Sequence, residues 1–470
     1  RGDRGGTWAF CWGRPWCRRG WRVLVCEAGA LQGRIQEWNL SRGELQRFLA
    51  LGLLTAAEAE TVVATEYERG RVRFHGGIDL WVTDVLNLGV SPARLLALLK
   101  QKFLDGGGIL QEGSPFGGAT VHRRSVTVQV GTETTTARLL VDAMGHFSPI
   151  ARQARQGDRP DSVCLVMGGC AQGLPAEPWG DVLATIAPIE DGLQYFWEAF
   201  PAQDGRTTYL FTYADTHPDR PTFAQLWQRY AATMPAYQAA DPEAIAMKRV
   251  LFGFFPSYRR SPLTYPWGRV LAIGDSSGQQ SPLSFGGFGA MARHLPRLVM
   301  GVDELLRADA LTAADLGWVQ PYQPGLASTW LFNRTMTVPP QAPWPPQRVN
   351  ATLSAAFAAL AQGGDRRLQP FLQDVVQFGP LTATMATMAW QNPAIVAQAI
   401  QQVGALDLGR WFGHYLALGS YSLLDRLSDR LPAFREPTNL YGHLWQAAWR
   451  YGSGRDALTP IGHNVEGNEL

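Results

Sequence analysis

Gly274-Asp-Ser-Ser-Gly-Gln-Gln-Ser-Pro-Leu-Ser-Phe-Gly-Gly-Phe-Gly289, preceded by the run Gly268–Ile273, is the stretch that decides the fold. Gly268–Ile273, apolar from Val270 onward, reads as a buried parallel strand. It delivers Asp275 to the mouth of a glycine-rich loop, where an acid can hold the ribityl hydroxyls of a flavin. Phe285-Gly-Gly-Phe-Gly289 then opens a helix from about Gly289. The free N–H groups and positive end of that helix suit the N1/O2 edge of an anionic, reduced flavin. Pro282, Gly286, Gly287 and Gly289 join Asp275 as candidate cofactor-binding residues.

Two further strand ends extend this reading. Trp21-Arg-Val-Leu-Val-Cys-Glu27 is a short apolar strand closed by an acid, about 20 residues after Gly5-Gly6-Thr7. In a Rossmann βαβ unit that acid accepts hydrogen bonds from the adenosine ribose, and the glycines carry the pyrophosphate turn. Val141-Asp-Ala-Met-Gly-His-Phe-Ser148, followed by Arg152, ends a second strand in Asp142 and offers Gly145 for close backbone approach. Gly-rich turns occur between any strand and helix. The order of these three strand ends points beyond that, to an α/β chain with a Rossmann-type FAD-binding domain.

Around these motifs the chain divides into four segments. Residues 1–155 read as the first part of the FAD-binding domain, with helical spacing at Leu45–Leu54 and Pro92–Leu104. Residues 156–262 read as an inserted antiparallel substrate sheet, from the runs Val163–Met167, Gln194–Phe200 and Thr207–Tyr213. Residues 263–310 return to the FAD-binding domain. Residues 311–470 form a C-terminal helical region, with a stiff proline-rich linker at 339–346.

Composition sets outer limits. The 470 residues are 46% hydrophobic and 17% charged with net charge +2, which excludes a disordered chain and argues against a nucleic-acid partner. Five cysteines without a CxxC pair indicate neither a disulfide framework nor a metal site. No run of 18 apolar residues predicts a transmembrane helix, and no apolar leader precedes the first strand. A start on Arg1 reads as a truncated beginning, so targeting is not legible. Leu408–Leu424, broken by Arg410 and His414, reads as a helix lying on a protein or membrane surface.

Gln36-Glu-Trp-Asn-Leu-Ser-Arg42, Phe74-His-Gly-Gly-Ile-Asp-Leu-Trp81, Asp84-Val-Leu-Asn-Leu-Gly89, the Gly274–Gly289 stretch and Pro370-Phe-Leu-Gln-Asp-Val-Val-Gln-Phe378 together resemble the CruA/CruP branch of lycopene cyclases. The likeness runs from about residue 20 to about residue 430. It implies the fold of FAD hydroxylases and geranylgeranyl reductases, in an oxygenic phototroph, acting on a lipophilic carotenoid at a thylakoid or cytoplasmic membrane surface. It also implies that Arg42 reaches the FAD pyrophosphate, and that FAD works in its reduced form, with NAD(P)H as a possible reductant. A flavin monooxygenase or reductase of carotenoids, or a flavin- or carotenoid-binding paralogue without turnover, are the other readings. Ring type and oligomeric state are not legible.

Cyclisation of lycopene needs a proton for a terminal C=C, then a carbocation held until another proton leaves. Such an acid must stay protonated in an apolar site beside aromatic faces. Gln194-Tyr-Phe-Trp-Glu-Ala-Phe200 supplies this: on a strand, Phe196, Glu198 and Phe200 share one face, and Tyr195, Trp197 and Ala199 the other. Other lycopene cyclases carry Phe-Leu-Glu-Glu-Thr at this place, so only one of two acids is kept. Glu198 is the candidate catalytic acid, against the alternative of a strand-edge glutamate paired with an arginine. Asp79 and Asp84 rank second. His75 reads as a turn residue and His294 as structural.

The first 21 residues hold Trp8, Trp12, Trp16 and Trp21, four of the chain's 17 tryptophans. Measured against G-x-G-x-x-G, the run Arg4-Gly5-Gly6-Thr7-Trp8-Ala9 lacks two glycines, and Gly13 and Pro15 fall where a helix should continue. Residues 7–20 therefore read as GC-rich DNA translated one base out of frame, because leucine–glycine codons shifted by one base begin with the tryptophan codon. As written, the segment is expected to break the helix and impair FAD affinity.

Overall fold

The computed structural model describes residues 6–259, 261–279, 286–340, 342–431 and 440–458. The apolar strand ends pair in parallel, as expected for the nucleotide-binding half. Leu24–Cys26 lies beside Ile109–Gln111, and Leu140–Asp142 beside Val270–Ala272. Helices Gly6–Arg18, Pro92–Asp105 and Gly287–Ala308 pack with these strands into one large core. Pro92–Asp105 starts as its sequence predicts, with the Ser91 side chain accepting from Arg94 N and proline at the first helical position.

The tryptophan-rich start departs from expectation. Gly6–Arg18 is one continuous helix with Pro15 inside it. Phe10, Cys11, Trp12 and Trp16 are buried in the main core, and Trp16 Nε1 donates to Val299 O at 3.1 Å. Gly13 allows the helix to approach its neighbour closely, since a Cβ there would lie 2.9 Å from the Phe103 ring. Burying three large aromatic rings, each bringing about 2–3 kcal/mol, outweighs the roughly 3 kcal/mol that an interior proline costs.

Residues 160–260 supply most of a seven-stranded sheet. Its order is Ala246–Ser257, Ser162–Gln172, Gly205–Ala214, Tyr195–Ala202, Gly180–Ala184, Arg69–Arg73 and Asp79–Thr83. The last two strands come from the first segment of the chain. Every neighbouring pair is antiparallel except Gly180–Ala184 with Arg69–Arg73. One face is covered by helix Phe223–Gln238, through Leu226, Tyr230, Met234 and Tyr237. The other face packs under the C-terminal helices Arg348–Ala361 and Asp365–Leu372, through Phe357, Leu360, Leu368 and Leu372. The proline-rich stretch has neither helix nor strand among its described residues. It also does more than link, because Trp344 packs on the sheet core and Pro346 O accepts from Ile189 N.

The expected surface helix spans Ala405–Ser428. Trp411 is buried and Tyr415 stacks on it with ring centroids 5.5 Å apart, so these two belong to a packed core rather than to a lipid-facing side. Leu406, Phe412, Leu416 and Leu423 are exposed instead. Among the described residues, no helix is long and apolar enough to cross a membrane.

Candidate flavin cradle and buried acid

The parallel pairing of Leu140–Asp142 with Val270–Ala272 brings two turns together at the strand ends. Ile273 N and Ser276 Oγ both donate to Asp142 O, at 3.0 and 2.7 Å. Gly145 and Gly274 carry positive φ angles of 73° and 58°, which lets each chain turn sharply off its strand. Asp275 is partly exposed at this mouth, with Oδ2 3.7 Å from His146 Nε2. Asp142 itself turns inward. Its carboxylate accepts from Ser148 Oγ at 2.5 Å, Tyr265 OH at 2.5 Å and Met144 N at 2.9 Å. Burial raises its pKa against those three bonds. Asp142 is thus an internal latch between the turn and the strand, where the sequence suggests a cofactor contact.

Helix Gly287–Ala308 begins after Gly286. A Cβ at Gly289 would overlap the Glu44 carboxylate, so an acid already sits against this helix start. Glu44 belongs to helix Arg42–Ala50 and closes a capping box, accepting from Ser41 N at 2.7 Å and Ser41 Oγ at 3.1 Å. Burial pushes its pKa up to about 7. Phe288 anchors the helix start between Trp38 and Phe48, with centroids 4.5 and 6.0 Å away.

Glu198 lies on the central strand Tyr195–Ala202 and is 1% exposed. Phe196 and Phe200 share its face, and Tyr209 stands directly opposite on the next strand. Phe211 and Tyr213 extend the aromatic wall, with Phe196 stacked on Phe211 at 5.3 Å. Glu198 Oε2 is buried without a hydrogen-bond partner among the described residues, and burial raises the pKa well above the ordinary carboxylate range. The ionised form would be an uncompensated charge in an apolar site, so burial favours the protonated carboxyl. Among the described residues no arginine forms an ion pair with it, in contrast to the strand-edge pair weighed from sequence.

No family model matches the chain, and no curated protein matches it. Solved structures do. A geranylgeranyl bacteriochlorophyll reductase-like protein from Thermoplasma acidophilum is 14% identical with a TM-score of 0.55, over 85% of this chain and 97% of that one. The halogenase PltM, in complex with phloroglucinol and FAD, is 12% identical with a TM-score of 0.55, over 98% and 96%. CmlS, a flavin-dependent halogenase, is 16% identical with a TM-score of 0.52, over 91% and 78%. The chain shares its fold with these proteins. At such identities the likeness concerns the fold, a mixed α/β architecture with a large sheet and many helices.

Within this fold the sequence-predicted cofactor residues fall into two groups. Gly145 and Asp275 lie in adjoining turns at the strand ends, and Gly286 and Gly287 at the start of the long helix. The residues expected at the pyrophosphate are placed differently. Arg42 is engaged by Glu60 and Glu66, each at 2.5 Å. Glu27 closes its strand half-exposed, its Oε1 accepting from Gly29 N at 3.4 Å. Gly6 opens the first helix, while Gly5 and Pro282 lie outside the described residues.

Of the second-rank groups, Asp79 is held by Arg71 at 2.5 Å, which lowers its pKa and removes it as a proton donor. Asp84 is exposed. His75 takes its place in a turn, its backbone N donating to Thr185 Oγ1. His294 is buried between Arg293 and Arg297, as a structural group would be. A groove of about 340 Å³ runs along Arg71, Arg73, His75 and Thr185, and a smaller cleft lies beside Gln279, Arg293 and Gln323. Neither borders Glu198. Two residues at the site were missed from sequence, Glu44 and Tyr209. The Ser-x-x-Glu spacing at Ser41 marks Glu44 as a cap, and only the tertiary fold shows its depth.

Proposed function

We propose that this chain is an FAD-dependent enzyme acting on a lipophilic polyene of the carotenoid class, with ring formation on a lycopene-like substrate as its reaction. The observation that carries the reading is Glu198: a fully enclosed carboxyl with a bare oxygen, walled by Phe196, Phe200, Tyr209 and Phe211. A neutral carboxyl can give its proton to a terminal C=C. The neighbouring double bond then attacks the cation to close the ring, while the aromatic faces stabilise the positive charge. The carboxylate left on Glu198 is in place to take back the proton that restores the ring alkene. One proton enters and one leaves, so net redox change is zero.

FAD, when bound, would supply negative charge near the cation rather than a hydride to the product. Gly145, Asp275, Gly286 and Gly287 are the residues that would hold it. The exposed apolar side of helix Ala405–Ser428 would rest on the membrane from which the substrate comes.

Glu198→Gln keeps the shape and removes the proton. Expressed in lycopene-accumulating cells, this variant is expected to yield no cyclic carotene while retaining the wild-type flavin content; wild-type pigment from the variant would sink the assignment. A flavin monooxygenase or reductase is the second reading, favoured by the halogenase and reductase-like structural neighbours. Aerobic NADPH consumption coupled to an oxygenated product would select it.

A further inference from the structure

Phe74-His-Gly-Gly-Ile-Asp-Leu-Trp81, one of the stretches that carry the resemblance, builds a site that the chemistry at Glu198 leaves unused. Arg69, Arg71 and Arg73 alternate along strand Arg69–Arg73 and so share one face. The register turns that face away from Glu198: Arg71 pairs with Asp181, Asp181 with Ala199, and Ala199 points opposite to its neighbour Glu198. The chain then turns back, with Phe74 N donating to Ile78 O at 3.0 Å and Gly77 N to Phe74 O at 2.9 Å. Beside this turn lies the groove of about 340 Å³, lined by Arg71, Arg73, His75, Ile78, Thr185 and Ile186. Both arginines are held in place and only partly spent. Asp79 accepts from Nε and Nη2 of Arg71 at 2.8 and 2.5 Å, and Asp181 from Nη2 of Arg73 at 3.0 Å. Tyr237 OH also donates to Asp181, at 2.7 Å. These bonds use neither Nη1.

A closed ring of hydrogen bonds sets the histidine. Asn350 is buried, and its Nδ2 donates to Ala187 O at 3.1 Å. A backbone carbonyl only accepts, so this bond fixes which end of the amide is nitrogen. Asn350 Oδ1 then accepts from Thr185 Oγ1 at 2.7 Å, while Nδ2 also donates to Gln347 Oε1 at 3.1 Å. That leaves Gln347 Nε2 to donate to His75 Nδ1 at 3.0 Å, and His75 N closes the ring on Thr185 Oγ1 at 2.9 Å. With Nδ1 accepting, the imidazole proton sits on Nε2, a third donor on the lining. We propose that this groove binds a small organic anion, its carboxylate or phosphate head on Arg71, Arg73 and His75 and its apolar body against Ile78 and Ile186. The nearest carboxylates, Asp79 and Asp181, are each committed to an arginine, so a cation would compete with those pairs while an oxyanion adds to them. The same pairs hold the guanidiniums still, which lowers the entropy lost on binding. The volume stands at the small end of ligand pockets, which run from about 300 to 1,000 Å³.

Titration calorimetry of the full chain with phenyl phosphate and with benzoate tests this, since each joins an oxyanion to an apolar ring. Saturable binding of at least one is expected, and the tighter of the two names the head group. Benzyl alcohol, the same ring without the charge, is expected not to bind. Arg71→Gln gives up an ion pair at the surface and is expected to keep the wild-type thermal midpoint. Arg73→Gln removes the second guanidinium. Both are expected to weaken anion binding at least about tenfold. Arg410→Gln, at a side chain 65% exposed on helix Ala405–Ser428, controls for unspecific charge and is expected to bind as the wild type does. Glu198→Gln, on the opposite face of the sheet, is expected to do the same, so failure of the cyclase reading leaves the groove standing. Absence of saturable binding by either anion would overturn the proposal. So would wild-type affinity in folded Arg71→Gln and Arg73→Gln, or benzyl alcohol bound as tightly as the anions.

Discussion

Glu44 and Glu198 are both fully enclosed carboxyls, yet their surroundings ask different things of them. Glu44 has Ser41 on two sides and Arg293 nearby, and its pKa sits at about 7 instead of the usual 4.5. A carboxyl whose folded pKa is raised leaves stability untouched below pH 4.5, where both states are protonated. It costs stability progressively as pH rises toward 7, because the unfolded chain ionises first. The full cost is up to about 3 kcal/mol. Glu44→Gln, which can keep the cap, is therefore expected to raise the thermal midpoint at pH 8 and leave it unchanged at pH 4; equal shifts at both would show that Glu44 is not the titrating group. The position of Glu198 was legible in sequence, because alternation with period two places Phe196, Glu198 and Phe200 together whatever the fold. That Arg42 would turn to Glu60 and Glu66 was not legible. The first is 18 and the second 24 residues away along the chain, and no local pattern ties them to it.

At the scale of elements, parallel strands and capped helices were the easy part. Val270–Ile273 and Val23–Cys26 are short apolar runs, and Ser91-Pro92 is a local start signal that needs no tertiary help. Helix Gly6–Arg18 was misread for the opposite reason. Gly13 and Pro15 are strong local breakers, and the force that overrides them lies in residues far away, Phe103 and Val299. Pro15 nonetheless has no amide N–H to add to the ladder of helical hydrogen bonds. Pro15→Ala is expected to stabilise the protein by about 1–3 kcal/mol, seen as a higher thermal midpoint. A lower midpoint would mean that the helix does not continue through this position. Resequencing the segment settles whether its aromatic content belongs to the reading frame.

For the whole molecule, the C-terminal helices serve two surfaces at once. Phe357 and Leu372 roof the Glu198 face of the sheet. On the outside, Phe412, Leu416, Leu423 and Leu427 form one stripe of helix Ala405–Ser428, each between 41% and 58% exposed, and Trp390 is 88% exposed. A stripe of that kind fits the plane of a bilayer surface. Leu416→Glu with Leu423→Glu is expected to release the protein from neutral phospholipid vesicles in a flotation assay without lowering its thermal midpoint. Flotation equal to wild type would rule out docking through this stripe. The sequence marked Leu408–Leu424 as a surface helix but could not choose its outward side, because the neighbours Trp411 and Phe412 are both aromatic and only packing shows that the first is buried and the second exposed.

The edge strand Ala246–Ser257 carries a liability of its own. Its free backbone donors and acceptors, framed by phenylalanines, are a template on which another copy's edge can hydrogen-bond, and only Lys248 and Arg249 near one end put charge in the way. Two molecules meeting along this edge would extend one sheet into the other, so crowding rather than heat is the stress to which this strand exposes the protein.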